Sequence, residues 1–190
     1  MTSNVHPLKK SLQLRIELDW VSPSVWRVVV VPETISLPKL HRVIQIAMGW
    51  EDGHLHEFAV GNVRYGNPDP EWNEPGTAIQ EKGVSLAKAL GRAKQLRYTY
   101  DFGDGWEHTI AVEESSGPPD SLSEVRCLAG ENACPPEDVG GPPGYERFLQ
   151  AIADPNHEEH DDMLEWYEGE FDATRFDLAS VNKKLKQLRI

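Results

Sequence analysis

Cysteine is scarce in this chain, with only Cys127 and Cys134 in 190 residues. Two thiols cannot make the multi-bridge framework of a small secreted domain, and no Cys-X-X-Cys pair exists to build a zinc ribbon. Long apolar runs are missing as well. The longest aliphatic stretch is the four valines at 28–31, far below the roughly 20 residues that a membrane-spanning helix needs. Lys9 and Lys10 have no apolar run behind them, so no signal peptide is visible and the chain reads as cytoplasmic. There is also no glycine-rich nucleotide loop and no nucleophile elbow, and no serine or cysteine stands beside an obvious base.

Positive charge is the other shortage. The formal net charge is −12, and residues 131–172 account for all of it, with thirteen acidic side chains against the single basic Arg147. Such a field repels phosphate backbones, so nonspecific nucleic-acid binding is disfavoured, while a protein or small-molecule partner stays open. The same pattern also suits solvated helix faces that only keep a protein soluble.

What is present suits one domain over residues 1–190. Hydrophobic content is 39%, six tryptophans argue against disorder, and 14 prolines with 15 glycines imply long ordered loops. Leu12, Leu14, Ile16, Leu18 and Trp20 alternate with polar residues, as in a half-buried strand. Residues 25–31 return after a turn at 21–24, apolar on both faces apart from Arg27. Ser36 can cap a helix over 37–48, with Leu37, Leu40, Ile44, Ala47 and Met48 as its buried stripe and Gly49 as its stop. A strand over 54–60 and a short one over 63–65 follow, then a surface loop over 66–83 and a turn or two of helix at 85–90. Loops are expected at 115–121 and throughout 127–144. Three helices complete the chain, near 145–153, after Asn156, and after Asp177. Hairpins first and helices last point to an α+β fold with a mainly antiparallel sheet.

The central hairpin is Tyr98-Thr-Tyr-Asp-Phe-Gly-Asp-Gly-Trp-Glu-His108. A three-residue loop at Gly103, Asp104 and Gly105 would pair Phe102 with Trp106 and Tyr100 with His108. Alternation then gives an aromatic face holding His108 and a wet face holding Arg97, Thr99, Asp101, Glu107 and Thr109.

His108 has two potential companions. His54 and His56 are two apart on an expected strand and so point the same way. His-X-His on a strand is a recurring chelate, and His108 from a neighbouring strand would complete an open site for a divalent transition metal such as zinc. Glu137 and Asp138, in the Pro/Gly-rich stretch, are candidate acid/base carboxylates or ligands. The competing reading is that each histidine is satisfied separately within the core. A cupin arrangement fails, because the glutamate it needs four or five residues after His-X-His falls on Val60 and Gly61.

Several stretches taken together carry a resemblance. They are Ser22-Pro-Ser-Val-Trp-Arg27, Leu40-His41 with Gly49-Trp50, His54-Leu-His-Glu-Phe58, the central hairpin, Cys127 through Tyr145, and residues 171–182. The pattern resembles the Ri-plasmid open-reading-frame-3-like family, also labelled an insertion-element passenger, TnpR-like. One departure is Ser22, where the family often has a second proline. The resemblance implies a link to plasmids or mobile elements and brings no established activity. The resolvase suggested by that label finds no support here, since the helical third is acidic rather than basic. Three functions follow as expectations: a soluble binding or accessory module, a metal-dependent hydrolase using His54, His56 and His108, or a regulator acting on protein or nucleic acid.

Overall fold

Period-two alternation and turn residues shape the first half of the chain into strands. The computed structural model describes residues 10–67, 78–114 and 124–189. The N-terminal lysine segment up to residue 9 and most of the loops expected at 66–83 and 115–121 lie outside the described residues. Strands β1 (Ser11–Leu18), β2 (Trp26–Pro32), β3 (His56–Val60), β4 (Val63–Gly66), β5 (Ile79–Gln80), β6 (Gln95–Tyr100), β7 (Trp106–Glu114) and β8 (Arg126–Glu131) form one sheet. Its order is β5-β4-β3-β6-β7-β1-β2-β8. Every pairing is antiparallel except β4 with β5. Helices α1 (Leu37–Met48), α2 (Leu86–Leu90), α3 (Gly141–Ala153), α4 (His160–Tyr167) and α5 (Leu178–Leu185) complete the α+β fold. Among the described residues no helix is long and apolar enough to cross a membrane.

The alternation in β1 is realised as burial of Leu14, Ile16 and Leu18. They join Val29, Val31, Tyr98, Tyr100, Trp106 and Ile110 in a core that also contains Leu37, Leu40, Val43 and Ile44 of α1. Gly49 ends α1 at φ 102°, a left-handed position that suits glycine. Ser36 holds the N-cap position but makes no side-chain cap bond. Asp177 does cap α5, its carboxylate accepting from the Ser180 amide.

Arg27 is the exception on β2 and is almost wholly buried. It finds carbonyls in place of a carboxylate. Its guanidinium donates to Ala47 O near the end of α1 at 2.8 Å, and to Trp26 O, Glu131 O and Asn132 O at 2.7–2.9 Å. Phe176 covers it with its ring centroid 4.1 Å away. Burial lowers the Arg27 pKa below the usual guanidinium value. One side chain thus ties the α1 terminus, the end of β8 and the following loop together.

Three expectations need correction. Residues 126–131 form edge strand β8 although the Pro/Gly-rich stretch 127–144 promised no regular element; its first residues are the ones without proline. α3 begins at Gly141, four residues before Tyr145, because Pro142 and Pro143 occupy its first turn, where proline loses no helical hydrogen bond. The third strand starts at His56 rather than His54, because residues 51–55 turn to follow the hairpin tip.

Strand register gathers the loops at one end of the sheet. Leu18 pairs with His108, Glu17 with Trp26, Trp26 with Glu131, Tyr100 with Trp106, and His56 with Tyr100. The turn after β1, the β6–β7 tip, the approach to β3 and the loop after β8 therefore share that end.

Candidate functional site

The hairpin tip is wider than a three-residue loop. Tyr100 pairs with Trp106 and Tyr98 with His108, so residues 101–105 form the turn. Asp101 explains the difference. It takes a left-handed conformation at φ 53°, and its Oδ1 accepts from the Gly103 amide at 2.9 Å, an Asx-type turn. Phe102 is thereby pushed outward and is 56% exposed instead of facing Trp106. The second carboxylate oxygen of Asp101 is left to face His54.

His54 is positioned by backbone. Its amide and that of Gly53 both donate to the Tyr100 hydroxyl, at 3.3 and 3.0 Å. That hydroxyl in turn donates to Glu137 Oε1 at 2.8 Å. The Glu51 amide also donates to Glu137 Oε1, at 3.0 Å, and the Trp50 indole donates to Pro135 O at 3.0 Å. Burial, with the Glu137 carboxylate beside it, pushes the Tyr100 pKa far above that of a free phenol. The 132–140 loop also docks on the hairpin, where the Gly140 amide donates to Asp104 Oδ2 at 3.1 Å.

These contacts bring three functional groups from three loops together. His54 Nδ1 lies 3.7 Å from Asp101 Oδ2, and His54 Nε2 lies 3.3 Å from Asp138 Oδ1. One ligand atom from each lies within 4.8 Å of the other two. Asp101 is nearly buried, His54 is partly open, and the Asp138 side chain is 72% exposed. Ligand atoms bound about 2.1 Å from one ion sit about 3–4 Å apart, so small side-chain movements would close the set around a cation. One imidazole and two carboxylates suit a borderline or hard divalent ion and leave coordination positions open to solvent.

The three histidines expected to converge do not share one ligand set. Among the described residues, the only group of metal-ligating atoms this close is His54 with Asp101 and Asp138. His56 turns to Glu81, with Nε2 3.1 Å from Oε2. It also stacks on His41, with ring centroids 3.5 Å apart. His108 is fully buried, and its Nδ1 lies 3.1–3.2 Å from Trp106 O and Tyr98 O. Carbonyls only accept, so Nδ1 carries the proton and Nε2 is a lone pair without a partner among the described residues. Burial lowers the His108 pKa to about 4. The reason for the separation is register: His108 pairs with Tyr98, one strand over from His56 and two residues along from its partner Tyr100. The two carboxylates expected nearby also part, Asp138 to the His54 group and Glu137 to Tyr100. Cys127 and Cys134 are free thiols whose pKa values burial raises.

A profile of the plasmid pRiA4b ORF-3-like protein family matches residues 10–180. The chain belongs to that family. It is also similar to the uncharacterized protein y4hQ of Sinorhizobium fredii, 44% identical over 180 residues that cover 93% of this chain and 91% of that one. Among solved structures it is similar to MM3350 of Methanosarcina mazei, a protein of unknown function. There the TM-score is 0.77 at 32% identity, covering 97% of this chain and 100% of the other.

In this family member a second polar network lies beneath the first, and most of it escaped sequence reasoning. Gln45 Nε2 donates to the Tyr98 hydroxyl at 3.0 Å, leaving that hydroxyl to donate to His41 Nδ1 at 2.7 Å. His41 Nε2 then carries its proton toward Asp52 Oδ1, 2.6 Å away. Burial, followed by the neighbouring His56, lowers the His41 pKa below that of free histidine. His41 and Gln45 are i and i+4 beside the apolar stripe of α1, so their spacing was an available signal. Asp101 and Glu81 offered none: one sat on the expected wet face and the other in an expected loop.

Proposed function

We propose that this protein is a divalent-cation-binding module that uses His54, Asp101 and Asp138 to hold a transition metal such as zinc and, through it, an anionic or polar ligand. One observation carries the reading: three loops distant in sequence bring one imidazole and two carboxylates within 4.8 Å of one another. Glu137 supports them indirectly, since its bond to Tyr100 holds the hydroxyl on which the His54 amide rests. His56 and His108 have no part in this centre. The acidity of residues 131–172 favours a ligand other than nucleic acid.

Metal titration of the untagged, chelator-treated protein tests it. Zinc, manganese and cobalt are each titrated calorimetrically, with melting followed in parallel. The expected result is one equivalent bound and a higher Tm with metal. Asp138→Asn, which keeps a residue type that tolerates the left-handed backbone at φ 60°, should weaken binding at least tenfold with little change in the metal-free Tm, because that side chain is exposed. Absence of stoichiometric binding, with melting indifferent to chelator, overturns the reading.

A hydrolytic reading rests on the same site. Three protein ligands leave room for a bound water, and Asp138 keeps the centre open to solvent. Turnover of ester or phosphoester substrates that disappears both with chelator and in His54→Ala would favour it over binding alone.

A further inference from the structure

Trp20 is the most exposed large apolar side chain among the described residues, at 77%. Its backbone is also unusual. It sits at φ 67°, a left-handed conformation disfavoured for a bulky side chain. Hydrogen bonds of the two residues before it anchor the turn, from the Leu18 amide to Val25 O and from the Asp19 amide to Glu107 O, both 2.9 Å. The indole N–H donates to Glu107 Oε2 at 3.3 Å. A strained backbone therefore presents an indole to solvent with its N–H end tethered and its ring free. Strain held at an exposed aromatic motivates a role in recognition.

The indole forms one wall of a groove of about 650 Å³. Pro142 and Pro143 in the first turn of α3, with Leu149 one helical stretch further on, line the other side. Aromatic and proline walls of this kind accept extended, proline-compatible peptide backbone. Glu146 is the only charged residue lining the groove. Glu107, at its Trp20 end, is already paired with Arg97 at 2.8 Å, so Glu146 carries the negative charge of the groove, and α3 lies within the acidic third of the chain. The complementary occupant is positively charged. Arginine or lysine stacks well on a tryptophan face, and desolvated cation–π pairs gain from nearby carboxylates.

We propose that the Trp20 groove is the docking site for an extended basic segment of a partner protein. An arginine or lysine of that segment covers the Trp20 ring with its charge toward Glu146, and a proline or aliphatic residue packs on Pro142, Pro143 and Leu149. The site is separate from the His54 centre, and its occupancy does not require metal.

The test uses the full chain and a synthetic peptide of three Arg-Pro-Leu repeats, blocked at both ends, with the Glu-Pro-Leu version as control. Binding is followed by calorimetry and by the indole ¹H–¹⁵N resonance of Trp20, assigned with Trp20→Phe. The expected result is binding of the basic peptide in chelator as well as without it, a shift of the Trp20 resonance, and no binding of the acidic peptide. Trp20→Ala and Glu146→Lys should each weaken binding at least tenfold, and neither side chain is in the core, so the fold should persist. Equal binding of both peptides, or of the basic peptide by wild type and Trp20→Ala alike, overturns the proposal. So does no binding at all, preferential binding of an oligonucleotide or anionic vesicles, or dimerisation of the protein that Trp20→Ala abolishes. Loss of metal binding in Asp138→Asn with peptide binding intact would separate this proposal from the reading of the His54 centre.

Discussion

His41 and His56 lie face to face, with ring planes 5° apart and centroids separated by 3.5 Å. Each has its own carboxylate, Asp52 for His41 and Glu81 for His56. The stack does not accommodate two positive charges, and burial together with the neighbouring His56 lowers the His41 pKa. With Tyr98 donating to Nδ1 of His41, that ring holds its proton on Nε2 toward Asp52. Tyr98→Phe removes the shared hydroxyl and leaves both His41 Nδ1 and Gln45 Nε2 without partners in a buried place. A loss of about 2 kcal/mol in denaturant unfolding is expected, more than a lone hydroxyl deletion gives. An unchanged midpoint would mean that the network adds no stability.

His108 supplies a pH dependence whose sign can be worked out. In the fold its pKa is lowered to about 4, against 6.5 for the free side chain. Between those values the unfolded chain takes up a proton that the folded one refuses, so stability falls as pH drops through that window. The His108 contribution is fully present above about pH 6.5 and amounts to about 3 kcal/mol over the full shift. Urea unfolding at pH 7.5 and pH 4.5 should reveal this component, and His108→Leu should lose it. ¹⁵N shifts should report a neutral Nδ1–H ring down to about pH 4. A ring that titrates near 6.5 contradicts the prediction.

Arg27 joins α1, β2, β8 and the loop that carries Glu137 and Asp138 through four carbonyls. Arg27→Met fills the volume but leaves the Ala47, Glu131 and Asn132 carbonyls short of a donor. A destabilisation of about 3–5 kcal/mol is expected by chemical denaturation. Arg27→Lys should recover only part of it, because one ammonium cannot span the fork of four acceptors. Equal stability of the Lys variant and wild type would reduce Arg27 to a simple buried charge.

Legibility in the sequence followed the range of the interaction. β1, α1 and the β6–β7 pair were readable because period and turn chemistry are local, and Gly49 and Asp177 sit where the caps require them. The hairpin register slipped by two residues because Asp101 folds its side chain onto the tip, a choice the Asp-Gly signal does not encode. At the candidate site, His54 and Asp138 stood out as residue types in unusual settings, whereas their meeting depends on loop docking. Asp101 could be found only once the hairpin was placed in space, whereas the spacing of His41 and Gln45 on α1 was there to be read. The stretch 127–144 reads wrongly in its first five residues and its last four, because proline and glycine density is averaged across a strand end, a loop and a helix start.

The loop with Asp138 depends on contact too close for side chains, which gives a sharp test. A methyl group on Gly141 would collide with the carbonyl oxygen of Asp104, and one on Gly144 would collide with that of Val139. Gly141 is also left-handed at φ +69°. Gly61 offers the matched control, since it is left-handed at φ +57° but has open space around its Cα. Gly61→Ala should cost about 1 kcal/mol, from backbone preference alone. Gly141→Ala adds the steric clash with fixed hairpin backbone, so a cost of about 3 kcal/mol is expected. The surplus should appear at the site as well, because moving the loop withdraws Asp138 from His54. Metal affinity should fall at least tenfold in Gly141→Ala and remain unchanged in Gly61→Ala. If both variants keep wild-type affinity although Gly141→Ala is much less stable, Asp138 does not depend on this seat and the loop adapts around it.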